Sequence, residues 1–274
     1  MKRLVNLIPS TPLKAVLGLL PLLLLMLLYV LASDARLAEN PADKLLPSMT
    51  QFADAIERMA FEPDKRSGNY LLWVDTLSSL QRLAIGIGLS AMIGLLVGML
   101  TGAIPLMHAN LSPLLTIVSL IPPMAILPIL FIVFGLGELS KVMLIVIGVA
   151  PIIARDMQRQ TREIPLEQLV KAQTLGANTL QILTGVLLPQ LLPRLIGAVR
   201  LALGTGWLFL IAAEAIASTD GLGYRIFLVR RYLAMDVILP YVAWITLLAF
   251  SFDWLLMRLN RWLFLWHHSL EAGR

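Results

Sequence analysis

Lys171–Leu191 reads KAQTLGANTLQILTGVLLPQL. The stretch is too polar to sit in lipid, yet apolar segments of membrane length lie on both sides of it. Leu166 to Leu175 is expected as one short helix, and Gly176 can take the turn conformation that ends it. Asn178 is placed to cap a second helix running to Leu188, with Pro189 and Pro193 marking the return to the membrane. Two short helices joined by a glycine make a compact knob, with Leu169, Leu175, Leu180 and Ile182 partly exposed. A membrane protein keeps a polar elbow of this kind when something outside the bilayer grips it.

The composition agrees with a membrane setting. Of 274 residues, 58% are hydrophobic and 14% charged, where a soluble domain carries about 25% charged residues. Mean hydropathy is +0.81 and the pI is 9.7. A basic balance is what the cytoplasmic loops of membrane proteins produce. No basic run is interleaved with aromatics, so nucleic acid is not an expected partner. There is no cysteine, which excludes disulfides and thiolate metal sites. His108, His267 and His268 are too few and too scattered for a metal cluster.

Six segments approach the roughly 20 apolar residues that a bilayer crossing requires: about Leu13–Ala32, Leu83–Ile104, Leu111–Phe134, Val142–Ala154, Leu195–Ala217 and Val237–Met257. The first resembles a signal peptide, with Lys2, Arg3 and Lys14 before a leucine-rich core, but that core is long for one; it reads as a retained helix. With the N-terminus cytoplasmic, six spans return the C-terminus to the same side. The loop from Arg155 to Arg194 is then cytoplasmic, with Arg155, Arg159, Arg162, Lys171 and Arg194, and the C-terminal end adds Arg258, Arg261 and Arg274. In the opposite loop, Ser33–Gln81, acids outnumber bases. The cluster Arg225, Arg230, Arg231 on that outer side is discordant. The expected organisation is 1–32 as terminus and first span, 33–81 as an outer loop with a short amphipathic helix, and 82–274 as a five-helix core whose cytoplasmic loop covers about 156–193.

Gly86, Ser90, Gly94, Gly98 and Gly102 recur every fourth residue in the second span. Small residues at this spacing form a stripe that lets another helix approach closely; the sequence does not say which. Pro113, Pro122, Pro123 and Pro128 cannot all sit in an undisturbed third span. The break is either a wall of a translocation path or a kink that improves packing. The turn Phe134–Lys141 follows, with Glu138 and Lys141 expected in solvent. Glu214 is the single acid well inside a span, where a carboxylate needs a partner or a polar cavity. It either meets a solute or an arginine that gates, or makes a buried hydrogen bond to backbone or serine. Asp253 is expected to pair with Arg258 or meet water. Arg194 and Arg200 fall near a span end, and no basic residue is read as lying mid-membrane.

The elbow resembles the E-A-A loop of permease subunits of ATP-binding-cassette importers. Lys171-Ala172-Gln173 opens it, departing from glutamate-alanine-alanine at two of three positions; Gly176 follows, then nine residues and Val186-Leu187-Leu188-Pro189, against the family's I-x-L-P. Almost the whole chain is similar to permeases of the nitrate/sulfonate/taurine importer group. The matching stretches are Leu46-Pro47-Ser48, Ser79-Leu80-Gln81-Arg82, Ile121–Pro128, Phe134–Lys141, Gly204-Thr205-Gly206-Trp207 with Ala213-Glu214, and Gly221-Leu222-Gly223.

That resemblance implies an all-α polytopic protein of about six transmembrane helices, the type I importer permease fold, in a bacterial inner membrane. It implies a second copy as partner in a homodimer, two ATPase subunits carrying ATP and Mg, and a periplasmic or lipid-anchored solute-binding protein. Lys171, Ala172, Gln173, Leu175, Gly176, Ala177, Leu188 and Pro189 are then the coupling loop, and Pro122, Pro123, Trp207 and Glu214 line the path. The chain has no G-x-x-x-x-G-K-[ST] phosphate loop, so it binds no nucleotide itself and has no catalytic residue to assign. The solute is a nitrogen compound such as guanidine or urea, which the insert Phe61–Tyr70 and the stretch Tyr224–Tyr241 favour by resemblance, or a sulfonate or oxyanion such as taurine or nitrate. The alternative is an ion-coupled secondary transporter, which would need coupling-ion residues in the membrane and no docking elbow.

Overall fold

The computed structural model describes residues 10–41, 43–65 and 67–266; Lys2, Arg3, Arg66, His267, His268 and Arg274 lie outside the described residues. Among these every regular element is a helix. In order they are α1 (Thr11–Glu39), α2 (Met49–Ala60), α3 (Leu71–Ala103), α4 (Pro105–Leu120), α5 (Pro123–Phe134), α6 (Glu138–Arg162), α7 (Leu166–Thr174), α8 (Thr179–Gln181), α9 (Leu188–Ala217), α10 (Leu222–Arg230) and α11 (Met235–Leu263). A π-helical stretch, Ile182–Leu187, joins α8 to α9.

Among the described residues, α1, α3, the run Thr179–Ala217 and α11 are long and apolar enough to cross a membrane. The pair α4 and α5 adds a fifth crossing if taken together, bent by 94° at its break. Helix α6 falls short by composition. Charges at both of its ends, Glu138 and Lys141 at one and Arg155 and Asp156 at the other, leave only a short uncharged run between them.

The chain falls into two units: residues up to Tyr70 with Val229–Pro240, and Leu71–Leu228 with Tyr241 onward. In the first, the Tyr29 hydroxyl donates to the Pro47 carbonyl at 2.9 Å and the Ser33 hydroxyl to that of Leu46 at 2.9 Å. These bonds fix the segment that enters α2. Ser48 caps α2 in a reciprocal box, its hydroxyl accepting from the Gln51 amide while the Gln51 side chain accepts from the Ser48 amide.

In the second unit the small-residue stripe finds its partner in α6. A Cβ placed on Gly86 would meet Ile145, one on Gly94 would meet Ile153 and Ala154, one on Gly98 Met157, and one on Gly102 Thr161. Ser90, within the stripe, is fully buried and returns its hydroxyl to the Gly86 carbonyl at 2.7 Å. The two ladders advance together, so α3 and α6 run parallel and in close contact. Dispersion between backbones replaces the hydrophobic incentive that lipid removes. Helix α9 runs against both: Gly206 sits on Ile87, Phe209 on Gly148, and Glu214 reaches Ser79. Leu144, Ile145, Val149, Met157, Leu191 and Leu210 fill the seam and are fully buried.

Because α3 and α6 point the same way, the chain between them must cross back. The bent pair α4 and α5 makes that return. It breaks at Ile121 and Pro122, both in extended backbone, while Pro113 and Pro128 remain inside helices. The same topology puts the α7–α8 elbow at one end of the bundle and Glu214 at the other.

Candidate functional site

The elbow is built by local rules. Helix α7 ends where Gly176 takes φ +84°, a conformation that costs a residue with a Cβ about 1–2 kcal/mol. The Gly176 amide donates to the Gln173 carbonyl at 2.9 Å and the Ala177 amide to that of Ala172 at 3.0 Å, the paired bonds of a Schellman stop. Asn178 then caps the next turn, its side chain accepting from the Gln181 amide at 2.9 Å, while Gln181 returns the bond at 2.8 Å. Ile164, Leu183 and Leu187 face inward and are buried, and Gln190 holds Gln168 at 2.9 Å. Leu166, Val170, Leu175 and Leu180 face out, Leu175 at 81% exposure and Leu180 at 67%. Lys171 and Gln173 are exposed, Ala172 and Ala177 half-buried.

The second elbow helix does not stop before Pro189. The chain passes without a break from Thr179 to Ala217. Immediately before the proline the Leu188 amide bonds five residues back to the Leu183 carbonyl. Wider π turns make room for a ring that would clash with an ordinary α turn, so Pro189 is accommodated inside the continuous helix.

At the opposite end a network centred on buried Asp75, Ser79, Arg82 and Glu214, with Glu138 and Asp220 at its exposed edge, ties α3, α6, α9 and α10 together. Arg82 gives Nη1 to Glu214 Oε1 at 2.8 Å, Nη2 to Asp220 Oδ1 at 2.6 Å, and Nε and Nη2 to the two oxygens of Glu138 at 2.5 and 2.8 Å. Ser79 donates to Glu214 at 2.8 Å. Three successive amides at the start of α10 are received by carboxylates and a hydroxyl: Gly221 by Asp75 at 3.0 Å, Leu222 by Ser79 at 2.8 Å, Gly223 by Glu214 at 2.9 Å. Orphan donors at a helix start favour such partners. Arg225 holds Asp75 at 2.7 Å, and the Tyr241 hydroxyl reaches it at 3.2 Å. Glu138, on the turn outside the span, has its carboxyl held down at about 2, first by the hydrogen bond from Arg82 and then by Lys141.

The structure therefore gives Glu214 both an arginine and a serine, with no exposed surface left. Trp207 is buried two turns away on the same helix, its indole N–H without a hydrogen-bond partner among the described residues. Pro122 and Pro123 lie at the α4–α5 break, exposed and half-exposed, away from the network that occupies Glu214.

Two sequence expectations need correction. Asp253 pairs with Arg200, through two bonds of 2.8 and 2.9 Å, while Arg258 lies over the Trp254 ring. Lys141 is buried, bridging Glu138 at 2.8 Å and Ser218 at 3.1 Å. In the α3–α6 register Gly94 packs on Ile153 and Ala154, which sets Arg155 level with the middle of the apolar run 83–104.

Comparison with known proteins now adds the family. Residues 90–265 match the model described as "Binding-protein-dependent transport system inner membrane component". The chain is 34% identical over 200 residues to the taurine transport system permease protein TauC of Escherichia coli (strain K12), covering 73% of each. It is 31% identical to the bicarbonate transport system permease protein CmpB of Synechococcus elongatus, covering 70% of this chain and 69% of that one. Among solved structures, an inward-facing conformation of the MetNI methionine ABC transporter aligns with a TM-score of 0.63 and 24% identity, over 70% of this chain and 95% of that one; at that identity the match establishes the fold. An all-helical bundle with this parallel pair, broken crossing and elbow is the type I importer permease fold, and the chain belongs to the binding-protein-dependent inner-membrane transport components.

Proposed function

We propose that two copies of this chain form the membrane path of an importer, crossing the bilayer six times each, with N- and C-termini cytoplasmic. The sixth crossing is α6, which packs along α3 from Gly86 on Ile145 to Gly102 on Thr161. The observation that carries the reading is the elbow: a glycine-stopped helix pair with Leu175 and Leu180 presented to solvent, on the end that the basic residues assign to the cytoplasm. Lys171, Ala172, Gln173, Leu175, Gly176 and Ala177 form its tip, and Leu188 and Pro189 transmit its movement directly into α9. An ATPase on a separate chain grips each elbow, and closure of the ATPases on ATP turns the cavity outward.

The Pro122–Pro123 break lines the path. Glu214 and Trp207 belong to its packed wall, where Glu214 latches α9 and α10 to α3 through Arg82. A solute-binding protein delivers a small polar solute. The taurine and bicarbonate named for two relatives favour one carrying a negative group.

The reading is tested in proteoliposomes containing the complex that co-purifies with the permease. ATP-driven uptake is measured with binding protein present, using taurine, nitrate, bicarbonate, urea and guanidine. Uptake of one solute that stops when ATP is withheld is the expected result. Uptake driven by an ion gradient without ATP would overturn it in favour of a secondary transporter.

A further inference from the structure

Helix α4 carries a polar stripe through an otherwise apolar segment. His108, Ser112, Thr116 and Ser119 recur at helical spacing and line a cavity of about 790 Å³ between α4 and α6. From α6, Gln158 Nε2 donates to Ser112 at 3.0 Å and lies 3.1 Å from His108 Nδ1. Arg155 Nη1 donates to the Ser119 hydroxyl at 2.9 Å.

Charge in the cavity is not balanced: Arg155, Arg159 and Arg162 line it against Asp156 and Glu163. Arg159 is taken by Asp156 at 2.8 Å and lies 3.9 Å from Glu163. Arg155, among the described residues, has no carboxylate within 4.0 Å, and its recorded bond goes to a side-chain hydroxyl rather than to the carbonyls that end α4. A guanidinium level with the middle of an apolar run is stable when it faces water or an anion. It also offers a planar fork of donors, most of them open here, that fits two oxygens of one group.

We infer that this cavity is an anion-recognition site on the path. Arg155 determines specificity, the open N–H groups of its guanidinium holding a sulfonate, carboxylate or inorganic oxyanion while its Nη1 is anchored on Ser119. The inference rests on the permease reading above but not on coupling to an ATPase. It favours an anionic cargo over guanidine.

The chain has no cysteine, so Thr116→Cys creates a single labelling site. The purified protein in nanodiscs is labelled with an anionic and a cationic methanethiosulfonate reagent of similar size. The anionic-to-cationic rate ratio should fall by about tenfold or more when Arg155→Gln is added, the effect of one charge within ~8 Å at an effective dielectric constant of about 40. Arg155→Lys should keep the ratio within about threefold, because the charge remains. Ethanesulfonate should slow labelling only while Arg155 is present, and guanidinium chloride should not slow it at all. An unchanged ratio in Arg155→Gln, an equal fall in Arg155→Lys, or protection by guanidinium overturns the inference. Since labelling needs neither ATPase nor binding protein, its outcome is independent of whether the elbow docks.

Discussion

The guanidinium of Arg82 and the carboxylate of Glu214 meet at 2.8 Å in a position where Glu214 has no exposed surface and Arg82 retains 4%. Neither charge could be buried there alone. Removing one partner of a buried pair costs about 3–5 kcal/mol, because the other is left uncompensated. Glu214→Gln and Arg82→Gln should each lower the thermal midpoint in detergent by an amount of that order. The double variant should lose clearly less than the sum of the two. Single variants as stable as the parent would show that the network does not hold the bundle end.

Gly221 depends on the same carboxylate. Its φ is +115°, and a Cβ there would fall 2.6 Å from the Glu214 carboxyl. Gly221→Ala should therefore destabilise by about 1–3 kcal/mol, seen as a lower unfolding midpoint and faster proteolysis. The effect should shrink in a Glu214→Ala background, where space opens.

Along the α3–α6 seam the test is positional. A Cβ at Gly98 would lie 2.6 Å from the Ala154 carbonyl, whereas one at Gly88 meets nothing within 4 Å. Gly98→Ala should cost about 1–3 kcal/mol, and Gly88→Ala should be neutral or stabilise by up to ~1 kcal/mol through helix propensity. Thermal midpoints of the two variants, measured side by side, decide it; equal effects would mean the helices are not in van der Waals contact.

Much of this was legible because the physics is local. A glycine between two short amphipathic runs, an asparagine with a glutamine three residues on, and small residues every fourth position each announce a geometry without help from tertiary contacts. What the sequence concealed is long-range. Asp75, Ser79 and Arg82 share one face of α3 at helical spacing, a signal available in the sequence, but Asp75 and Ser79 fall in the stretch that reads as an outer loop and their partners lie more than 130 residues away. The nearest arginine to Asp253 along the chain is Arg258, whereas the bundle brings Arg200 closer. Arg155 reads as the first residue of a loop because the uncharged run of α6 stops there; the register with α3 sets it level with Gly94.

At the elbow, Gly176 tolerates substitution by conformation rather than by size, since nothing lies within 4 Å of a Cβ built there. Gly176→Asn should retain most ATP-driven transport, because asparagine enters the left-handed region more readily than other side chains. Gly176→Ala should cost about 1–2 kcal/mol locally and reduce transport. Gly176→Pro, which removes the amide donated to Gln173 and cannot adopt φ +84°, should abolish transport while leaving the spans folded, judged by an unchanged unfolding midpoint and uptake below a tenth of the parent's.

The claim that the elbow docks an ATPase is tested most directly by photo-cross-linking from Leu175. A photoreactive residue there, and another at exposed Leu136 on the turn at the opposite end, are activated in membranes that contain the whole transporter. The account predicts a cross-link from position 175 to a separate ATPase chain, lost in Gly176→Pro, and none from position 136. Capture of the ATPase from 136 but not from 175 would contradict it.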